Sequence, residues 1–263
     1  MNHFKIKDND EAKKLMKLAL SAGETLLKNG AEAYRVEDTM ERMCSSRENI
    51  HNVNSFVTQT GVFLTFEHED KTYVNFRRVR GTAMNLKRIH LVNQFSRDFV
   101  FKNISIDEGL NIIQDINNTK SFTRLDKAVF GAAACAFFTL MFGGNLRDFI
   151  ASYLVSFLTV LLLNITTEFK LTFFIENFLG AFLASLFSCI TVVIGLGANL
   201  DKIIIGSIMH LVPGVPITNA IRDLMSGDSL TGLSKGMEAI FSAVAIAFGV
   251  GIVLSLYMGG IIR

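Results

Sequence analysis

The chain has 263 residues, half of them hydrophobic, with 23 phenylalanines, no tryptophan, two prolines and a formal net charge of +2. So small a net charge gives no electrostatic argument for nucleic acid. Three scattered cysteines, Cys44, Cys135 and Cys189, without CxxC or Cys/His spacing, imply neither a disulfide framework nor a metal site.

Charge divides the chain into a charged front and an apolar back: residues 1–125 hold 19 of the 26 Lys+Arg and 16 of the 24 Asp+Glu. The opening Met1-Asn-His-Phe-Lys-Ile-Lys-Asp8 lacks the apolar core and small-residue cleavage site of a signal peptide, so the front is expected in the cytoplasm. Asp8-x-x-Glu11 is a capping-box pattern. Leu15, Leu18, Ala19, Ala22 and Leu26 follow at helical spacing, and Gly30 is a stop signal. A second helix is expected from Ala33, with Val36, Met40 and Met43 on one face. Over 52–80 the period changes to two. Residues 53–59, 62–68 and 72–79 read as three strands in antiparallel hairpins, with turns at Thr60-Gly61 and Glu69-Asp70-Lys71. Helical spacing returns near Asn85 (Leu86, Ile89, Val92, Phe99), and Ser105-x-x-Glu108 opens a helix carrying Leu110, Ile113 and Ile116. The front, 1–125, is expected to be an α+β domain with its own core.

The back, 126–263, contains five apolar runs, at about 127–143, 148–165, 172–195, 202–218 and 237–258. A spanning helix needs about 20 mostly apolar residues. The expected architecture is therefore an α+β cytoplasmic domain followed by an all-α transmembrane bundle of five helices. The first run is short, and the fourth spans only if an internal Pro-Gly-Val-Pro break counts as part of the crossing. Small residues such as Gly180-Ala181 and Gly249-x-Gly251 let membrane helices approach closely. With the front inside, the connectors 143–147 and 197–201 and the C-terminus fall outside, and 166–171 and 222–236 inside. Lys170, Arg222 and Lys235 are then inside and Arg147, Lys202 and Arg263 outside. That bias is thin, so the charged front carries the orientation.

The chemistry concentrates in His210-Leu-Val-Pro-Gly-Val-Pro-Ile-Thr-Asn-Ala-Ile-Arg-Asp223, which holds both prolines, Pro213 and Pro216, around Gly214. A helix cannot run straight through these residues. Inside a bilayer, a broken helix survives only where protein or a wet cavity covers it, and such breaks point to transporter binding sites. His210 is an ionisable group in an apolar run, hence a functional candidate. The amides following Pro216 open a segment carrying Thr218 and Asn219, a candidate anion site. A turn at the cytoplasmic edge is the competing reading. Arg222 and Asp223 pair, cap or gate the segment, or end an interfacial helix. Glu176, with Asn177, opens the third run, where an acid also suits a helix N-terminus. In the front, Arg35, Glu37, Asp38, Arg77, Arg78 and Arg80 could bind an anion or contact the membrane domain, or are plain solvated surface, since charged side chains are rarely buried unpaired. Ser207, one turn from His210, is poorly placed for a hydrolytic dyad. No P-loop, zinc motif or dinucleotide fingerprint occurs, so the chain is expected to be no enzyme and to need no cofactor.

These residues resemble a known family. His210 to Leu224, followed by Gly227-Asp228 and Gly232-Leu233, is similar to the signature of the threonine/serine exporter (ThrE-like) family. Gly30-Ala-Glu-Ala-Tyr-Arg-Val-Glu-Asp-Thr-Met40 and Arg78-Val-Arg80 resemble its cytoplasmic signatures. One soluble domain before five spans resembles the larger subunit of the split form (YjjP-like), which implies a small membrane partner subunit (YjjB-like). Five spans are few for enclosing a polar path, so that partner, a homo-oligomer, or both are expected. The resemblance implies export of small hydrophilic metabolites, threonine and serine or a dicarboxylate such as succinate. The expected function is thus secondary export across the inner membrane by alternating access around the broken helix. The matched residues, to which a substrate-binding role is given on chemical grounds, are His210, Pro213, Gly214, Pro216, Thr218, Asn219, Arg222 and Asp223. A membrane sensor or scaffold with a ligand-binding cytoplasmic domain, and an intramembrane hydrolase, are the alternatives.

Overall fold

A computed structural model describes residues 4–102, 104–166 and 171–261. It divides into two compact units: Met1–Ser121 with Thr218–Gly236, and Phe122–Ile217 with Met237–Arg263. Lys170 and Arg263, which the orientation argument used, lie outside the described residues.

The first unit is built on helix α1, Asn9–Lys28, whose N-cap Asp8 accepts the amides of Asp10 and Glu11. Gly30 ends it at φ 91°, with the Ala31 amide on Leu26 O and the Gly30 amide on Leu27 O. This is a left-handed termination that glycine adopts without a Cβ penalty. Helix α2, Ala33–Ser45, buries Val36, Met40 and Met43 as the spacing predicts. Strands β1 (Ile50–Thr58), β2 (Gly61–His68) and β3 (Lys71–Arg78) form an antiparallel sheet in that order. The inward residues Val62, Leu64 and Phe66 of β2 are buried, whereas Phe56, Phe63 and Phe76 line up exposed on the opposite face. Helices α3, Leu86–Phe101, and α4, Ile106–Asn118, pack on α1 and on each other. Ser105 caps α4 by accepting the Glu108 amide at 3.2 Å. One core joins Leu15, Leu18, Leu26, Met40, Phe66, Phe99 and Ile113.

The second unit contains α5 (Arg124–Met141), α6 (Leu146–Thr166), α7 (Phe173–Val193) and α8 (Leu200–Ser207). Helix α9, Gly214–Met225, starts in this unit and ends in the first, while α10, Ser229–Met258, starts in the first and ends here. Among the described residues, three helices are long and apolar enough to span a bilayer: Leu146–Asn164, Phe173–Val193 and Ser229–Met258. The expected count of five is not confirmed among the described residues, and two local features account for the difference. Helix α5 opens with Arg124, Asp126 and Lys127, fixed by a Thr123–Asp126 capping box. The fourth run is no continuous helix: α8 has 8 residues, and residues 208–213 are turns and irregular chain before α9 begins. The expected connector 222–236 is instead largely helical. At 1.5 Å per residue, the 30 residues of α10 reach about 45 Å, more than the ~30 Å of a hydrocarbon core. Its surplus at the start, 229–236, belongs to the first unit.

Small residues sit where the helices meet. A Cβ on Gly249 would lie 2.6 Å from Phe178 O and 2.9 Å from Phe182 N, so only glycine lets α10 lie this close to the α7 backbone. Asp148, fully buried in the first turn of α6, accepts the Ala198 amide (2.8 Å), the Asn199 amide (2.9 Å) and Asn199 Nδ2 (2.7 Å). It ties the start of α6 to the loop before α8.

Candidate functional site

The break after α8 begins earlier than the prolines require. Tight i to i−3 bonds run from Met209 to Gly206, Leu211 to Ile208 and Val212 to Met209, and the chain leaves the helix at Ser207. Pro213 precedes the first residue of α9 and Pro216 is its third, positions at which the missing N–H costs no intrahelical bond. The first turn of α9 is largely committed internally. Gly214 donates to Val212 O (2.8 Å), and Ile217, the first amide after Pro216, donates to Pro213 O (3.1 Å).

His210 sits in this break. Its Nδ1 lies 2.9 Å from Ser207 O and 3.6 Å from Cys135 Sγ. A ring nitrogen on a carbonyl must carry the proton there, which leaves Nε2 as an acceptor in the neutral ring. Nε2 is shut off from solvent and has no partner among the described residues. The hydroxyl of Ser207 is 3.0 Å from Ser152 Oγ instead, so no serine–histidine dyad forms.

A cavity of about 160 Å³ adjoins His210, lined also by Asn164, Glu176, Asn177 and apolar Val160, Leu163 and Leu211. At roughly 30 Å³ per water it has room for about five. Four polar side chains from three segments (the end of α6, the start of α7 and the break) thus line one cavity. The Glu176 carboxylate makes no ion pair with any described residue. Asn177 Nδ2 donates to Ser242 Oγ of α10 at 3.1 Å. Glu176 and His210, singled out separately from sequence, meet here. Asn164 was missed, although a lone amide in Leu161-Leu-Leu-Asn164 is itself a signal.

The remaining motif residues lie elsewhere. Pro213, Gly214 and Pro216 do not line the cavity. Thr218, Asn219, Arg222 and Asp223 belong to the first unit. Asn219 Nδ2 donates to Gly30 O at 3.1 Å, and Arg222 pairs with Glu32 at 2.7 Å. Asp223, fully buried, accepts the Ala33 amide at 3.1 Å and pairs with Lys235 at 2.7 Å. An external carboxylate therefore meets the first amide of α2, where the helix dipole favours an anion. Burial works to raise the Glu32 carboxyl, but its own backbone amide, Arg222 and Arg35 hold it below the usual range. The segment's second half thus binds the Gly30–Arg35 motif that the sequence singled out independently.

A family model described as "Putative threonine/serine exporter" matches residues 17–257. The chain is 21% identical over 257 residues to "Probable succinate transporter subunit YjjP" of Klebsiella aerogenes, covering 97% of each chain. It is 22% identical over 259 residues to the protein of the same description from Escherichia coli (strain K12), covering 96% of this chain and 97% of that one. An uncharacterized protein of Schizosaccharomyces pombe is 22% identical over 190 residues, 68% of this chain and 22% of the relative. No solved structure matches.

Proposed function

Because the chain belongs to the threonine/serine exporter family and is a membrane protein of a transporter group, we propose that it is the larger subunit of a secondary exporter for small hydrophilic metabolites. The cargo class is threonine and serine, or a dicarboxylate such as the succinate named for the relatives. The carrying observation is the meeting of Glu176 and His210, with Asn164 and Asn177, in one cavity among apolar helices. Intramembrane ionisable groups are expensive and face pathways rather than lipid. The flanking break in the chain supports alternating access around this site. The front unit is the cytoplasmic side of the exporter, and a small membrane partner supplies further helices around the path.

The chemistry favours one cargo. The Glu176 carboxylate and His210 Nε2 are both acceptors and suit an ammonium or hydroxyl donor; the amides of Asn164 and Asn177 can receive a carboxylate. An amino acid carries both kinds of group, whereas a dicarboxylate meets Glu176 with like charge unless a proton enters with it. Reconstitution of the chain with its small partner in proteoliposomes, loaded in turn with threonine, serine and succinate, tests this. Glu176→Gln and His210→Ala are each expected to slow efflux by at least about tenfold, the loss of one well-made polar contact. Unchanged efflux in the double variant would remove the site.

A further inference from the structure

We propose that the first unit carries a separate binding site for a small organic dianion, in a cavity of about 390 Å³ walled by α1, β3, α3 and α4. From α1 come Lys17, Ser21, Glu24, Thr25 and Lys28, whose spacing places them along one helix face. Arg77 of β3 and Arg88 of α3 close two sides, and Gln114, Asn117 and Asn118 of α4 the third. Four cations thus surround one carboxylate, and that carboxylate is taken: Glu24 pairs with Arg77 at 2.8 Å. Lys17 and Lys28 make no ion pair with any described residue. Arg88 donates to Thr119 O at 3.0 Å, but its Nε is buried with no partner among the described residues. Leaving a guanidinium N–H unpaired is costly, and an anion that accepts from it would relieve that cost.

The surplus positive charge in a concave site selects an anion, and three cations without a carboxylate partner among the described residues favour more than one negative charge. Leu110 and Ile113 add an apolar wall, and the volume holds about a dozen waters at ~30 Å³ each, more than a bare inorganic ion fills. The ligand class is therefore a short carbon body bearing two negative charges, as in a dicarboxylate or a phosphate monoester.

The test is isothermal titration of the purified whole chain in detergent with succinate and with glycerol phosphate, against sodium chloride at matched ionic strength. Saturable binding of either anion is expected, and the tighter one assigns the carboxylate or phosphate chemistry. Lys17→Ala combined with Lys28→Ala, both at exposed positions that should fold normally, is expected to weaken it at least about tenfold per charge removed. His210→Ala is expected to leave it unchanged, which separates this site from the membrane cavity. No saturable binding above the chloride control, full affinity in the double-lysine variant, or loss of affinity in His210→Ala would each overturn the proposal.

Discussion

At the scale of single residues, buried charge decides most. Asp223 is fully buried and holds both the Ala33 amide and Lys235, whose side chain is 12% exposed. Replacing it with alanine strands a nearly buried ammonium and an uncapped helix end, so Asp223→Ala should cost about 3–5 kcal/mol, read as a lowered denaturation midpoint. Asp223→Asn, which keeps an acceptor for the Ala33 amide, should cost less. Nearby Glu37 accepts the Val57 amide at 2.8 Å. Burial, reinforced by Asp228, Glu41 and Asp223, raises its carboxyl to about 7 against that single bond. Asp228 is raised too, first by burial and then by Asp223, with Lys235 opposing. A raised carboxyl binds its proton more tightly folded than unfolded. Stability from Glu37 is therefore present below its ordinary value of 4.5 and is lost as pH rises through about 7. The melting temperature should fall between pH 5 and pH 8, and Glu37→Gln should flatten that slope. Glu32, lowered rather than raised, titrates below this window and does not contribute to it.

At the scale of elements, two features shape the membrane unit. The first is the approach of α10 to α7 at Gly249. A side chain there must push against backbone atoms of Phe178 and Phe182, which cannot rotate away. Gly249→Leu should destabilise the unit by about 1–3 kcal/mol, seen as earlier aggregation on heating in detergent. Gly251, 2 residues on, has nothing within 4 Å of its Cβ position, and Gly251→Leu should be tolerated. The second is the break. Nδ1 of His210 serves the Ser207 carbonyl at the end of α8, so the same residue that closes one helix presents a spare acceptor near the cavity. A structural role and a transport role are compatible in one ring because its two nitrogens differ.

At the scale of the whole chain, the first unit is assembled from two distant stretches. Residues 218–236 contribute Arg222, Asp223 and Thr231, and Thr231 Oγ1 donates to Val57 O at 3.0 Å inside the unit. A fragment ending at residue 121 leaves the Ala33 amide, the Glu32 carboxylate and the Val57 carbonyl without these partners. It should melt well below the first unit of the intact chain, and a peptide of residues 218–236 added in excess should raise its midpoint. No recovery with that peptide would show that the segment adds little to the unit's stability.

Local pattern alone determined much of this protein. The period of two over 52–80 marked the three strands, Asp8 and Ser105 marked helix starts, and Gly30 marked a stop, because each depends on neighbours a few residues away. The family signature was readable for the same reason: its residues are contiguous. Polar residues inside apolar runs flagged Glu176 and His210 one at a time. Tertiary structure alone decided that these two share a cavity with Asn164, and that Asn219, Arg222 and Asp223 pair with Gly30, Glu32 and Ala33, about 190 positions away. It also decided where the fourth run stops being helical, since hydropathy counts apolar side chains whereas a helix ends where its carbonyls find other donors. Pairings across long chain separations leave no periodic trace in a single sequence, so the folded backbone has to supply them.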